Sequence, residues 1–195
     1  MNVLVGCEFS GTVRDAFLRR GHNAYSCDLR PCLEGRHRHF QFDVRVALEV
    51  FEWDLFIVHP ECTHLTASGA AHWAAKRADG RQQRAIEFFK EMMDAPVPRI
   101  CAENPVGVLS SVYRKPDQTF QPYHFGHLET KRTCLWLKGS PLLRHTSDLK
   151  AQTMSLPANV RQRNHYLSPS PDRAALRSLT YPGVAEAMAD QWGRL

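Results

Sequence analysis

Short apolar runs alternate with amphipathic stretches from the first residues onward. Asn2–Gly6 (NVLVG) has the length of a buried strand and stops at a glycine. Residues 11–20 then place Val13, Ala16 and Phe17 on one helical face and Arg14, Arg19 and Arg20 on the other, with Gly21 as the stop. A second strand is predicted over Asn23–Cys27, closing on Asp28. After a basic loop with His37, Arg38 and His39, a third is predicted around residues 40–44. Residues 46–52 predict a brief helix. Residues 53–58 (WDLFIV) predict a deeply buried strand that ends at His59-Pro60. After a polar loop, Arg81–Met93 spaces Ile86, Phe89 and Met93 for one helical face. Residues 98–102 (PRICA) give the next strand, ending at Glu103-Asn104-Pro105. Residues 107–127 read as irregular, 133–137 as a strand, 139–171 as loop and 183–192 as a closing helix.

Strand–helix alternation of this kind predicts a parallel sheet with crossover helices on both faces. A chain of 195 residues suffices for one such α/β domain with a sizeable core, so 1–195 is read as a single domain. The uninterrupted run of roughly 18 apolar residues that a membrane span needs is absent, which excludes a membrane partner for the sequence given. The strand-like start carries no basic head or cleavage site, so a cytoplasmic protein without a signal peptide is expected.

Cys7, Cys27, Cys32, Cys62, Cys101 and Cys134 form no C-x-x-C pair. Neither a zinc ribbon nor a thioredoxin-type site is written here, no metal is expected, and the usage suits a reducing compartment. A formal net charge of +5 is mild. Its distribution says more: Lys131, Arg132, Lys138, Arg144, Lys150, Arg161, Arg163, Arg173 and Arg177 follow one another with few acids between. That run suits a solvated surface or one that tracks phosphates.

In an open α/β sheet, ligands bind beyond the carboxyl ends of the strands. That rule selects four stretches. The first is the small-residue turn Cys7, Glu8, Phe9, Ser10, Gly11 and Thr12, where backbone amides can approach a ligand. It lacks the full G-x-G-x-x-G pattern and serves equally as an ordinary tight turn. Second comes Asp28 with Leu29, about twenty residues further on, where an acid conventionally accepts from ribose hydroxyls or caps a helix. The third is Pro60-Glu61-Cys62-Thr63-His64, with a cysteine on a polar loop after a buried strand; His59 and His64 are near enough in sequence to act as its base. Glu103 and Asn104 end the next strand, where loops from neighbouring strands converge; a carboxyl there suits proton donation to a ring nitrogen, or a helix cap.

Taken in order, these stretches resemble the cytosine-5 DNA methyltransferase family over almost the whole chain. Cys7 to Thr12 resembles the family's cofactor loop, Asp28 and Leu29 its ribose-binding acid and neighbour, and Asp43 and Val44 its adenine-binding stretch. Pro60 and Cys62 resemble the nucleophile motif, Glu103 and Asn104 the pair that engages the target ring, and Lys131 and Arg132 the basic motif. Residues 184–189 resemble the last motif, within a helix over 177–195 that completes the cofactor pocket. This sequence departs from the pattern at Glu61, where the family has proline, and at Ser10 and Thr12 among the usual glycines. It departs again at Lys131 and Thr133, where two arginines are usual.

The resemblance implies a Rossmann-like S-adenosylmethionine-dependent methyltransferase sheet flanked by helices. The target-recognition region is much reduced, to the loop of about 139–175. It also implies a reaction. The Cys62 thiolate adds to ring carbon 6, while Glu103 protonates or hydrogen-bonds ring nitrogen 3. Carbon 5 then takes a methyl group from S-adenosyl-L-methionine, a base removes the carbon-5 proton, and Cys62 leaves. DNA is the implied partner, single-stranded or read with little sequence preference, because so few residues present few base-edge contacts. Two alternatives stay open. One is a carboxylated S-adenosylmethionine analogue with Arg177 as partner of its carboxylate; the other is a binding relative that has lost catalysis.

Overall fold

The computed structural model describes residues 1–33 and 37–194. In chain order they form β1 (Asn2–Gly6), α1 (Thr12–Leu18), β2 (Asn23–Cys27), β3 (His39–Phe40), α2 (Val44–Leu48), β4 (Leu55–Val58), α3 (Trp73–Ala78), α4 (Arg81–Met93) and β5 (Ile100–Pro105). There follow α5 (Leu109–Val112), β6 (Gln118–Phe120), β7 (Thr133–Lys138), α6 (Lys150–Ser155), α7 (Ala158–Arg161), α8 (Arg163–Tyr166), α9 (Arg173–Ser178) and α10 (Pro182–Trp192). Short 3-10 turns cover Ala67–His72 and Pro122–Phe125.

One sheet holds the seven strands in the order β3-β2-β1-β4-β5-β7-β6. β1 to β5 pair in parallel; β7 runs antiparallel to β5, and β6 antiparallel to β7. The all-parallel sheet expected from the alternation therefore contains one reversed strand, β7, which lies between β5 and the edge strand β6; β6 runs in the direction of β1 to β5. The continuous apolar runs of β1 and β4 are fully buried because helices cover both faces. One core layer packs Val3, Val5, Leu55 and Ile57 against Phe17, Val184 and Trp192 of α1 and α10. The other packs Leu4, Phe56, Val58 and Ile100 against Ile86, Phe89 and Met92 of α4.

Four local expectations need correction. The strand predicted around 40–44 stops at Phe40, because Asp43 turns the chain by accepting from the Arg45 amide and capping α2. The helix predicted over 46–52 consequently begins at Val44 and ends at Leu48. Arg14, read as facing solvent, is buried: its guanidinium folds under the first turn onto Asp15 at 2.7 Å and Ser26 Oγ at 3.0 Å. The stretch 139–171, read as loop, contains α6, α7 and α8. Each is too short to show helical periodicity in sequence.

Candidate active site

The first turn is built around a carboxylate. Cys7 takes a left-handed φ of 56°, and Glu8 swings beneath the start of α1. There its oxygens accept the Val13 amide at 2.7 Å and the Arg14 amide at 3.3 Å, with Ser10 Oγ at 3.2 Å. Glu8 thus satisfies helix-end donors that have no partner within the helix. Burial pushes its carboxyl above the usual range, against the pull of His59 and those amides. Gly6 cannot carry a side chain, since a Cβ would stand 2.7 Å from Val44 and 2.8 Å from Phe56. Gly11 turns with a φ of 76° to start α1, whose first residue is Thr12.

Asp28 ends β2, with Oδ1 accepting the Arg30 amide at 2.8 Å, and Leu29 beside it is 74% exposed. Arg30 lies over the Phe9 ring at 4.1 Å. Asp43 divides its oxygens between the Arg45 amide and the Arg45 guanidinium, while Val44 is buried against the sheet.

At the ends of β4 and β5, the side chains named from sequence converge. β5 runs three residues beyond its expected end at 102, so Glu103 and Asn104 lie within the strand opposite Leu135 and Cys134. Successive strand residues point to opposite faces. Asn104 is 1% exposed and its Nδ2 donates to the Pro60 carbonyl at 2.8 Å, holding the loop that carries Cys62. Glu103 turns instead to His59, whose Nδ1 lies 3.0 Å from Oε2. The loop is further sewn down by the Val108 amide on the Leu65 carbonyl at 2.9 Å and by Lys76 Nζ on the Thr63 carbonyl at 2.6 Å.

Charge sets the chemistry of this corner. Burial raises the Glu103 carboxyl, but the hydrogen bond and charge of His59, with Lys131, outweigh it and hold the group below its usual range. The Cys62 thiol is raised, by burial first and by Glu103 second, with Lys131 pulling the other way. Cys62, Glu103 and Lys131 therefore sense one another electrostatically. Neither His59 nor His64 bonds to the Cys62 sulfur among the described residues. His59 is engaged by Glu103, and the Nδ1 of His64 is buried without a partner. The base expected beside the thiol is thus a partner of the carboxylate.

Two shallow clefts adjoin here, sharing His59, Leu179 and Thr180 in their linings. The first is lined by Cys7, Glu8, Phe9 and Ser10 of the first turn, with His59. The second is lined by His59, Glu103, Lys131 and Thr133, with Val184 and Met188 of α10. Leu179 and Thr180 border both.

These two residues belong to a segment after α9 that borders both clefts, a feature not legible in the residue pattern. Lys131 Nζ donates to the Arg177 carbonyl at 2.9 Å, and Tyr181 OH donates to Glu129 at 2.7 Å, holding both ends down. Arg177, expected to meet a carboxylated donor, lines neither cleft. Arg132 is exposed beside β7, and Cys62, Asn104, Gly11, Thr12, Pro60, Asp28, Leu29, Asp43 and Val44 likewise lie outside the two linings.

A sheet of this strand order, with β7 alone reversed and clefts across the carboxyl ends of the parallel strands, has the α/β Rossmann-like methyltransferase fold. The same fold is found in the crystal structure of a DNA modification methyltransferase encoded within a prophage of E. coli. The two share 15% sequence identity with a TM-score of 0.50, over 80% of this chain and 55% of that one. Two further methyltransferase structures are more distant. EhMeth of Entamoeba histolytica has 12% identity and a TM-score of 0.48, over 76% of this chain and 57% of that one. A DNMT2 variant of Spodoptera frugiperda has 14% identity and a TM-score of 0.46, over 75% and 54%. The chain thus spans little more than half the length of these structures. No protein-family profile and no curated protein matches it.

Proposed function

We propose that this protein methylates carbon 5 of cytosine in DNA through a covalent adduct with Cys62. The observation that supports this reading is that Glu103 and Lys131 line a cleft adjoining that of the first turn, while Asn104 ties the loop bearing Cys62 to the same strand end.

Residues of the first turn, with Asp28 and Leu29 at the end of β2, would hold S-adenosyl-L-methionine. The Asp28 carboxylate suits ribose hydroxyls, and exposed Leu29 suits an apolar ring face. When bound, that donor supplies an electrophilic methyl group. The rest falls to the chain itself. Cys62 adds as thiolate to ring carbon 6, because carbon 5 of cytosine is too weak a nucleophile unaided. Ionised Glu103 accepts from the exocyclic amine, a donor that cytosine has and uracil lacks. Lys131 offsets the negative charge that develops on the ring, and such stabilisation is worth most where water is excluded. Asn104 holds the Cys62 loop in place. A cytosine in a duplex must first be flipped out, at a cost of a few kcal/mol.

With about forty residues between β7 and α10, base-edge readout is limited, and we infer a short sequence preference and activity on single-stranded or otherwise accessible DNA. Sequencing of DNA methylated by the protein should show no strict site of four or more bases. The central test is Cys62→Ser. It should abolish the denaturant-resistant adduct with 5-fluorocytosine DNA while donor binding by calorimetry stays within about twofold of wild type. An adduct in the variant sinks the covalent role of Cys62, and a wild-type protein that binds DNA without forming one is a binding relative.

A further inference from the structure

His59 is the first residue beyond β4, and its side chain is 9% exposed. Nδ1 is held by Glu103, but Nε2 is buried and has no hydrogen-bond partner among the described residues. A polar atom left unpaired inside a protein is costly, and such atoms gather where a ligand or a reaction supplies the missing partner. His59 also borders both clefts. Among the described residues only Leu179 and Thr180 share that position, and neither titrates near neutral pH.

The tautomer follows from the partner. An ionised carboxylate can only accept, so Nδ1 carries the hydrogen and the unpartnered Nε2 keeps its lone pair. A carboxylate that fixes an imidazole in this way makes the opposite nitrogen a general base. Glu8 lines the first of the two clefts together with His59.

Glu103 lines one cleft and the first turn the other, so a ring held by Glu103 would receive a group from the first-turn cleft at the junction His59 borders. On the reading proposed above, on which this step rests, we infer that Nε2 of His59 removes the carbon-5 proton after transfer, with Glu103 as its positioning partner. The electrons of the carbon-5–hydrogen bond form the carbon-5–carbon-6 double bond. The carbon-6–sulfur bond breaks, and its pair returns to Cys62 as thiolate. The proton passes to Nε2 and then to solvent, so no oxidant or further reactant is needed.

His59→Asn tests this, because the Asn amide can still donate to Glu103 from near the position of Nδ1 but presents no base at Nε2. Two readouts separate its role from that of the site. The first is the adduct with 5-fluorocytosine DNA, which needs addition and transfer but no proton removal. The second is release of tritium from [5-³H]cytosine DNA in the absence of donor, which needs proton exchange at carbon 5 but no transfer. The variant should form the adduct at a rate within about threefold of wild type and release tritium about 10²–10⁴-fold more slowly. Tritium release at the wild-type rate overturns the role of His59 and assigns the step to solvent. Loss of both readouts in the variant also overturns it, since His59 then acts in assembling the site. Absence of the adduct in wild-type protein refutes the reading of the site itself, and the proposal with it.

Discussion

The side chain of Asn104 and the carbonyl of Pro60 are joined by a hydrogen bond of 2.8 Å that links the end of β5 to the loop bearing Cys62. The bond is buried, so its loss leaves the Pro60 carbonyl without a partner. Asn104→Ala should lower stability by about 1–3 kcal/mol. Formation of the 5-fluorocytosine adduct should slow more than donor affinity falls, because the first turn is untouched. Calorimetry and adduct kinetics on the same preparation check both parts. An unchanged rate means that the loop holds its shape without this tie.

The Cys62 thiol lies above its ordinary value of 9.0, through burial and the nearby Glu103 carboxylate. At neutral pH the group is therefore mainly protonated, and the thiolate fraction increases with pH. Adduct formation should accelerate by about tenfold per pH unit from pH 7 towards 9. Lys131→Met removes the charge that favours the thiolate and should shift the profile to still higher pH. A flat profile across this interval would show that the thiol is activated by something other than solvent pH.

Glu8 is the opposite case of a buried group. Its folded-state pKa is raised above the ordinary 4.5, so the native protein binds that proton more tightly than the unfolded chain does. Stability from this group is therefore present below 4.5 and declines as pH rises towards the folded value. Glu8→Gln keeps an oxygen for the Val13 amide and removes the ionisation. Melting temperatures measured from pH 4 upward should move in favour of the variant as pH rises. A constant difference across the range contradicts the assignment.

Gly107 faces the backbone of the Cys62 loop, and a Cβ built there stands 2.0 Å from the Leu65 carbonyl oxygen. Backbone cannot yield as a flexible side chain does. Gly107→Ala should cost about 1–3 kcal/mol and displace the loop, with a matching fall in adduct formation. Gly126→Ala serves as a control for the effect of an added methyl in open space, although its φ of 84° adds strain of its own. Equal melting temperatures for Gly107→Ala and wild type would rule out the close contact.

The residue pattern alone determined the parallel part of the sheet and which polar residues stand at its strand ends. Continuous apolar runs at Asn2–Gly6 and Leu55–Val58 have to be buried on both faces, and polar residues directly after them have to stand at a strand end. Cys62 and Glu103 were legible for that reason. The tertiary structure alone decided what each side chain faces. Glu103 and Asn104 are neighbours in sequence, yet β5 runs far enough for the pleat to send one to His59 and the other to Pro60. The reversed strand β7, the inward turn of Arg14 and the segment Ser178–Thr180 across the clefts were equally hidden. Each depends on partners dozens of residues away, and local periodicity carries no information about such pairings.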